Sequence, residues 1–133
     1  MSTFVFTVAL PTTDRRRAYA FARGMGFETP GERAEDGVPE PLQVVVNDHA
    51  RVMYIPTGGF GWVTAGRATA EPGTVECLLS IAVDSSEEVD DLVRTAEGAG
   101  AQVASGPEQR PWGYIGTFAD PDGHLWQIIC PVD

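Results

Sequence analysis

The stretch Phe118-Ala119-Asp120-Pro121-Asp122-Gly123-His124-Leu125-Trp126 carries most of the architectural information in this chain. Asp-Pro-Asp-Gly is turn chemistry: proline presets its own φ, an aspartate carboxylate bonds backbone N–H groups just ahead of it, and glycine accepts a left-handed conformation. On both sides the residues are apolar and alternating. Tyr114–Phe118 and Leu125–Cys130 therefore read as two antiparallel strands joined by this turn. Alternation in the second puts Trp126, Ile128 and Cys130 on one face and Leu125, Gln127 and Ile129 on the other.

Upstream of these strands, Cys77–Val83 reads as a strand and Gln102–Ala104 as another. Between them Ser85 and Glu88 form a capping box, and Val89, Leu92, Val93 and Ala96 recur at helical spacing until Gly98 or Gly100. The same order occurs earlier in the chain. A strand over Thr3–Leu10 precedes a helix over Asp14–Met25, with Thr13 or Asp14 as cap, Ala18, Phe21, Ala22 and Met25 on one side and Gly26 as terminator. Leu42–Val46 and Arg51–Ile55 then form a hairpin about Asn47-Asp48. The chain thus reads as one domain of two similar modules, about 1–57 and 75–133, joined by a Gly-rich linker over about 58–74. One helix among several strands linked by short turns predicts an α+β fold, with mostly antiparallel sheets and helices on one face. Each strand offers a second face of small or polar residues as a candidate cavity wall. In the strand over Cys77–Val83 that face is Glu76, Leu78, Ser80 and Ala82.

Composition narrows the function classes. The 133 residues hold 9 basic and 19 acidic side chains, a net charge of -10, with 43% hydrophobic residues. A core can be buried, and neither nucleic acid nor an anionic membrane surface is an expected partner, because both require a basic patch. No run approaches the roughly 18 apolar residues of a membrane span, and the first residues lack a signal-peptide pattern, so a cytoplasmic protein is expected. Cys77 and Cys130 are not in CxxC spacing and read as buried, reduced thiols. No GxGxxG, P-loop or GxSxG pattern occurs, and Gly58-Gly59-Phe60-Gly61 precedes no convincing helix.

The combination of Ala9-Leu10-Pro11-Thr12-Thr13-Asp14, a helix ending Met25-Gly26-Phe27, and Phe118 to Trp126 resembles the vicinal oxygen chelate superfamily. That group includes glyoxalase I, extradiol dioxygenases and bleomycin-resistance proteins. The resemblance implies paired βαβββ modules that curl into an open, cup-shaped sheet, usually in a homodimer. It also implies a divalent metal held by one His or Glu from each of four strands. Carried onto this sequence, those positions fall on Thr7, Leu78, Gln127 and, near the middle of the Arg51–Ile55 strand, Met53. None of these is a good ligand for a hard or borderline cation, so no metal or other cofactor is expected unless the register is misassigned. His49 and His124 read as surface or structural residues.

Several other residues are candidates for a site in the cup. Glu76 is the one ionisable side chain on that face of its strand; an apolar cup would raise its pKa and suit it to general-base work, against the simpler reading of a solvated strand end. Phe60, Trp62, Trp112 and Tyr114 lie in or beside loops, where aromatic rings stack on planar or cationic ligands or pack at a dimer interface. Ser80, Thr117 and Gln127 offer orienting hydrogen bonds. The sequence therefore predicts a metal-free protein that binds, and sequesters, a small organic ligand, cationic or aromatic, such as an antibiotic. The alternative is a glyoxalase-like lyase or isomerase, or a dioxygenase-type enzyme, of the same fold, metal-dependent or using Glu76.

Overall fold

Asp14 ends the first strand and starts the first helix. In the computed structural model, which describes residues 5–132, its extended backbone (φ -151°, ψ 100°) turns its carboxylate onto the Arg17 N–H at 3.1 Å, satisfying one of the orphan donors of a helix N-terminus. Strand β1 is Phe6–Thr12 and helix α1 is Arg15–Gly24; Thr3 and Phe4, expected to begin β1, lie outside the described residues. Gly26 at φ +85° reverses the chain after α1, and the Phe27 N–H returns to the Ala22 carbonyl at 3.1 Å. That is the αL stop expected of a glycine there.

The chain divides into two compact units between Ala70 and Glu71. In the first, β2 (Leu42–Asn47) and β3 (Ala50–Pro56) form the expected hairpin, and β1 joins it parallel to β3, giving the order β1-β3-β2. The register aligns Leu10, Tyr54 and Leu42 in one row and Val8, Val52 and Val44 in another. Most of this face is buried, together with Ala18, Phe21 and Ala22 of α1. A fourth strand position, beyond β2, is reduced to a single antiparallel bridge between Glu28 and Val45. The first module is therefore shorter by a strand than the βαβββ pattern.

The second unit holds β4 (Leu78–Ala82), α3 (Ser86–Gly98), β5 (Gln102–Arg110), β6 (Gly113–Ala119) and β7 (Leu125–Pro131), in the sheet order β4-β7-β6-β5. Here the βαβββ order is complete. Ser85 caps α3 by accepting the Glu88 N–H at 3.2 Å, and Val89, Val93 and Ala96 are buried. Phe118 and Trp126, cross-strand partners on the covered face, stack with ring centroids 6.2 Å apart. Gly116 lets α3 approach this sheet: a Cβ there would stand 2.7 Å from Val93 Cγ2.

Three local expectations are corrected. β5 continues to Arg110 rather than stopping at Ala104. It is an edge strand whose register shifts twice, and an edge tolerates Ser105-Gly106-Pro107 because the missing N–H breaks no ladder. The Gly-rich segment is partly helical: α2 spans Thr57–Val63 and lies against β1 and β3, so tertiary contact overrides the poor helix propensity of three glycines. The cysteines are free but not buried, Cys77 being exposed and Cys130 half-buried. None of the described helices is long and apolar enough to cross a membrane.

Candidate functional site

Each sheet has one face under a helix and one face open. In the second unit the open face is organised by the Asp-Pro-Asp-Gly turn. The Asp120 side chain, only 4% exposed, accepts the N–H groups of Asp122 and His124 at 3.0 Å each and the indole N–H of Trp126 at 3.1 Å. The backbone closes the same turn, Asp120 donating to the His124 carbonyl at 2.9 Å. These bonds fix Ala119 opposite Leu125 and hold Trp126 on the α3 side. Strand alternation then places the next residue, Gln127, on the open face.

Gln127 forms the centre of a polar row. Its cross-strand partners are Ser80 on β4 and Thr117 on β6, with Ser105 of β5 opposite Thr117. Gln127 Nε2 donates to Ser80 Oγ at 2.8 Å. Leu78, Leu125 and Ala119 make up the row on one side, with Ala82, Ile129 and Ile115 on the other. The result is a strip of neutral hydrogen-bonding groups between apolar rows, with Leu78 47% exposed. Such a surface can orient an amide, hydroxyl or carbonyl of an organic molecule while its body covers the flanking side chains.

The first unit has a related face built from Thr7, Ala9, Arg51, Met53, Gln43 and Val45. The internal repeat fixes Met53. Leu78 lies two residues before Ser80, which pairs with Gln127, and Thr7 lies two residues before Ala9, which pairs with Met53. Thr7, Met53, Leu78 and Gln127 thus occupy equivalent positions of the two units. As donors they are a hydroxyl, a thioether, an alkyl group and an amide. A borderline divalent ion in such a site needs imidazole, thiolate or carboxylate, a hard one needs more oxygen ligands than Thr7 and Gln127 offer, and among the described residues no group of three or more His, Cys, Asp or Glu side chains converges. These side chains do not fit the superfamily's metal.

Other expectations on individual residues change. Glu76 lies in a bend ahead of β4 and is solvent-exposed, so the strand-face argument for a desolvated base does not hold. Tyr114 is directed at α3, not at the open face: its hydroxyl donates to Asp90 at 2.7 Å, and that hydrogen bond, with some burial and the Asp90 charge, raises the phenol pKa. Phe60 and Trp62 belong to helix α2 rather than a loop, the first half-buried and the second 87% exposed. Trp112 is in the β5–β6 turn, 58% exposed, where its carbonyl accepts the Val132 N–H at 3.3 Å. His49 is exposed in the β2–β3 turn.

Two features escape a sequence reading. Arg51, in β3, donates through Nη1 to Gln43 Oε1 at 2.6 Å on the open face of the first sheet; the alternation Arg51, Met53, Ile55 is its only signal in the sequence. A cleft of about 340 Å³ at the start of α1 is lined by residues including Thr12, Asp14, Arg15 and Asp36. Two of its charges, Arg15 and Asp36, are already engaged. Arg15 Nη1 meets Asp36 at 2.6 Å, and Nη2 meets the Pro39 carbonyl and, at 3.3 Å, Glu40. The Val38 N–H, aided by Arg15, holds the Asp36 carboxyl below its ordinary pKa against a smaller opposing effect of burial.

Comparison with known proteins agrees with this architecture. The chain is similar to the hypothetical protein SA1046 from S. aureus, with 25% identity and a TM-score of 0.78, covering 98% of this chain and 95% of that one. It is similar in fold to a glyoxalase-related enzyme from Fulvimarina pelagi, at 24% identity and a TM-score of 0.78, covering 95% and 86% of the two chains. It also shares its fold with TnmS3, an antibiotic binding protein from Streptomyces sp. CB03234, at 23% identity and a TM-score of 0.67, with 98% of each chain covered. No curated protein matches the chain significantly. A family model matches residues 7–128, and on that match the chain belongs to the Glyoxalase/Bleomycin resistance protein/Dioxygenase superfamily.

Proposed function

We propose that this protein binds and sequesters a small organic molecule, aromatic or cationic, of the antibiotic kind, without metal chemistry and without breaking a bond in it. The observation that carries this reading is the donor set. At the four equivalent positions stand Thr7, Met53, Leu78 and Gln127, which offer shape, apolar contact and neutral hydrogen bonds but no ligand set for a Lewis acid. The Ser80–Gln127–Thr117 row supports it further. Each neutral hydrogen bond to a ligand contributes about 0.5–1.5 kcal/mol net, so affinity would come mostly from apolar area covered on the flanking rows, and the row would supply orientation. That TnmS3 is an antibiotic binding protein favours the same branch of the superfamily. Glu76 lies in an exposed bend, so the base invoked for the enzymatic alternative is not placed in the cup; the likeness to a glyoxalase-related enzyme keeps turnover as the rival outcome of the test. The exposed aromatic side chains Trp62 and Trp112 suit a homodimer, since apolar surface of this kind is commonly covered by a partner copy.

Isothermal titration against a panel of cationic glycopeptide and planar aromatic antibiotics tests the reading, with the mixture recovered afterwards for mass spectrometry. Saturable heat and an unaltered ligand are expected, unchanged by added chelator. Turnover of the ligand, or binding that requires a divalent ion, would overturn it.

A further inference from the structure

We propose that the open face of the first sheet binds the carboxylate of an amphipathic organic acid through Arg51. This inference rests on the reading of the open faces as ligand-binding surfaces and narrows the ligand to the aromatic class, carrying a carboxylate and not a lone positive charge. Arg51 sits in the middle of a sheet row, between Thr7 of β1 and Val45 of β2, and is half-buried. Arg15, Arg94 and Arg110 each pair with a carboxylate. Arg51 does not. Among the described residues it has one side-chain partner, the neutral Gln43, in a chain whose acids outnumber its bases 19 to 9. Glu28, opposite Val45 in the same row, lies beyond that valine, and no ion pair joins it to Arg51.

A half-buried arginine whose only side-chain partner is neutral keeps a full positive charge that a ligand carboxylate can pair with. Gln43 engages Nη1 and so fixes the plane of the group. Nε and Nη2 form the remaining edge, the fork that donates to two carboxylate oxygens side by side. The surroundings select what carries the carboxylate. Ala9, Met53, Ile55 and Val45 share this face, so an acid with an apolar body gains contact that a free inorganic anion cannot. The net charge of -10 repels anions at long range, which leaves recognition to contact at the arginine and not to steering.

The test is isothermal titration of the full chain with cinnamate, with its neutral isostere cinnamamide and with inorganic phosphate. Cinnamate is expected to bind about tenfold more tightly than cinnamamide, as a bidentate charge-assisted pair allows, and phosphate to give no saturable heat. Arg51→Gln should equalise acid and amide. Arg51→Lys, which keeps the charge but loses the fork, should retain a preference of about threefold. Near-ultraviolet circular dichroism and a thermal melt establish that both variants are folded. Equal binding of acid and amide, a preference surviving in Arg51→Gln, phosphate binding as well as cinnamate, or no heat with cinnamate each overturns the inference. Equal binding of acid and amide overturns the carboxylate assignment alone, since binding at the open face persists; the antibiotic panel decides the broader reading independently.

Discussion

Replacing Asp120 by alanine tests the claim that this buried carboxylate sets the register of the second sheet. The side chain accepts at least three N–H groups, two from the turn backbone and one from the Trp126 indole. Trp126 is 1% exposed, so its indole N–H would be left without water, which costs about 1–3 kcal/mol. The turn N–H groups of Asp122 and His124 are half-buried and recover part of their bonding from solvent; about 0.5–1 kcal/mol each is a reasonable loss. The sum is about 2–5 kcal/mol. At about 3–4 °C per kcal/mol for a domain of this size, the melting temperature should fall by roughly 6–20 °C. Asp120→Asn keeps the shape and one acceptor but turns an NH2 toward donors, so a loss of comparable sign and smaller size is expected. Urea denaturation followed by Trp126-weighted fluorescence, with the m-value checked for two-state behaviour, measures both. A loss in Asp120→Ala below about 0.5 kcal/mol, the range of an ordinary surface change, would refute the reasoning.

Gly116→Ala should destabilise by roughly 1–3 kcal/mol through overpacking, because its Cβ would lie 2.7 Å from Val93 Cγ2 and 3.2 Å from Pro107; in a double-mutant cycle, Val93→Ala should relieve part of that loss, and strict additivity would show that the close approach is not the cause. Tyr114→Phe should lower stability at neutral pH. Because Asp90 raises the folded phenol pKa above 10.0, the tyrosine's contribution is complete below pH 10.0 and is lost as pH rises through the folded value, so wild type and variant should converge in alkaline melts. Asp36 has the opposite sign: its folded pKa lies below 3.8, so its contribution is complete above that pH and disappears as pH falls through the folded value. Asp36→Asn should flatten the acid limb of the stability profile, and an unchanged limb would count against the Val38 and Arg15 contacts as its source.

The open-face site was only partly legible in the sequence. Ser80 and Gln127 were identifiable as inward candidates because strict alternation assigns faces once Trp126 and Ile128 are taken as core. Tyr114 misled because an aromatic beside a turn does not reveal which side of the sheet it faces. That depends on the pairing of β6 with β7, which puts Tyr114 opposite Cys130 on the α3 side. Glu76 misled for a related reason: the strand starts at Leu78, one residue later than its β-rich sequence indicates, and leaves Glu76 two residues outside it. Around Phe60 and Trp62 the glycines disfavour a helix, and the contacts of α2 with β1 and β3 that reverse this preference are not local.

What the sequence determined by itself is the set of structures encoded in consecutive residues. Asp14 and Ser85 cap helices, Gly26 stops one, Asp-Pro-Asp-Gly turns a hairpin, and period-two alternation divides each strand into two faces. Each of these depends on bonds within a few residues, so a local reading recovers them, and with them the α+β class. Tertiary structure alone decided which residues from distant segments meet. Gln127 reaches Ser80 across 47 residues of sequence and Tyr114 reaches Asp90 across 24, while Arg51 is held by Gln43 only because β2 and β3 pair in one register. The physical reason is that face, register and partner are set by the burial of whole sheets against helices, a property of the assembled unit that no short window of sequence contains.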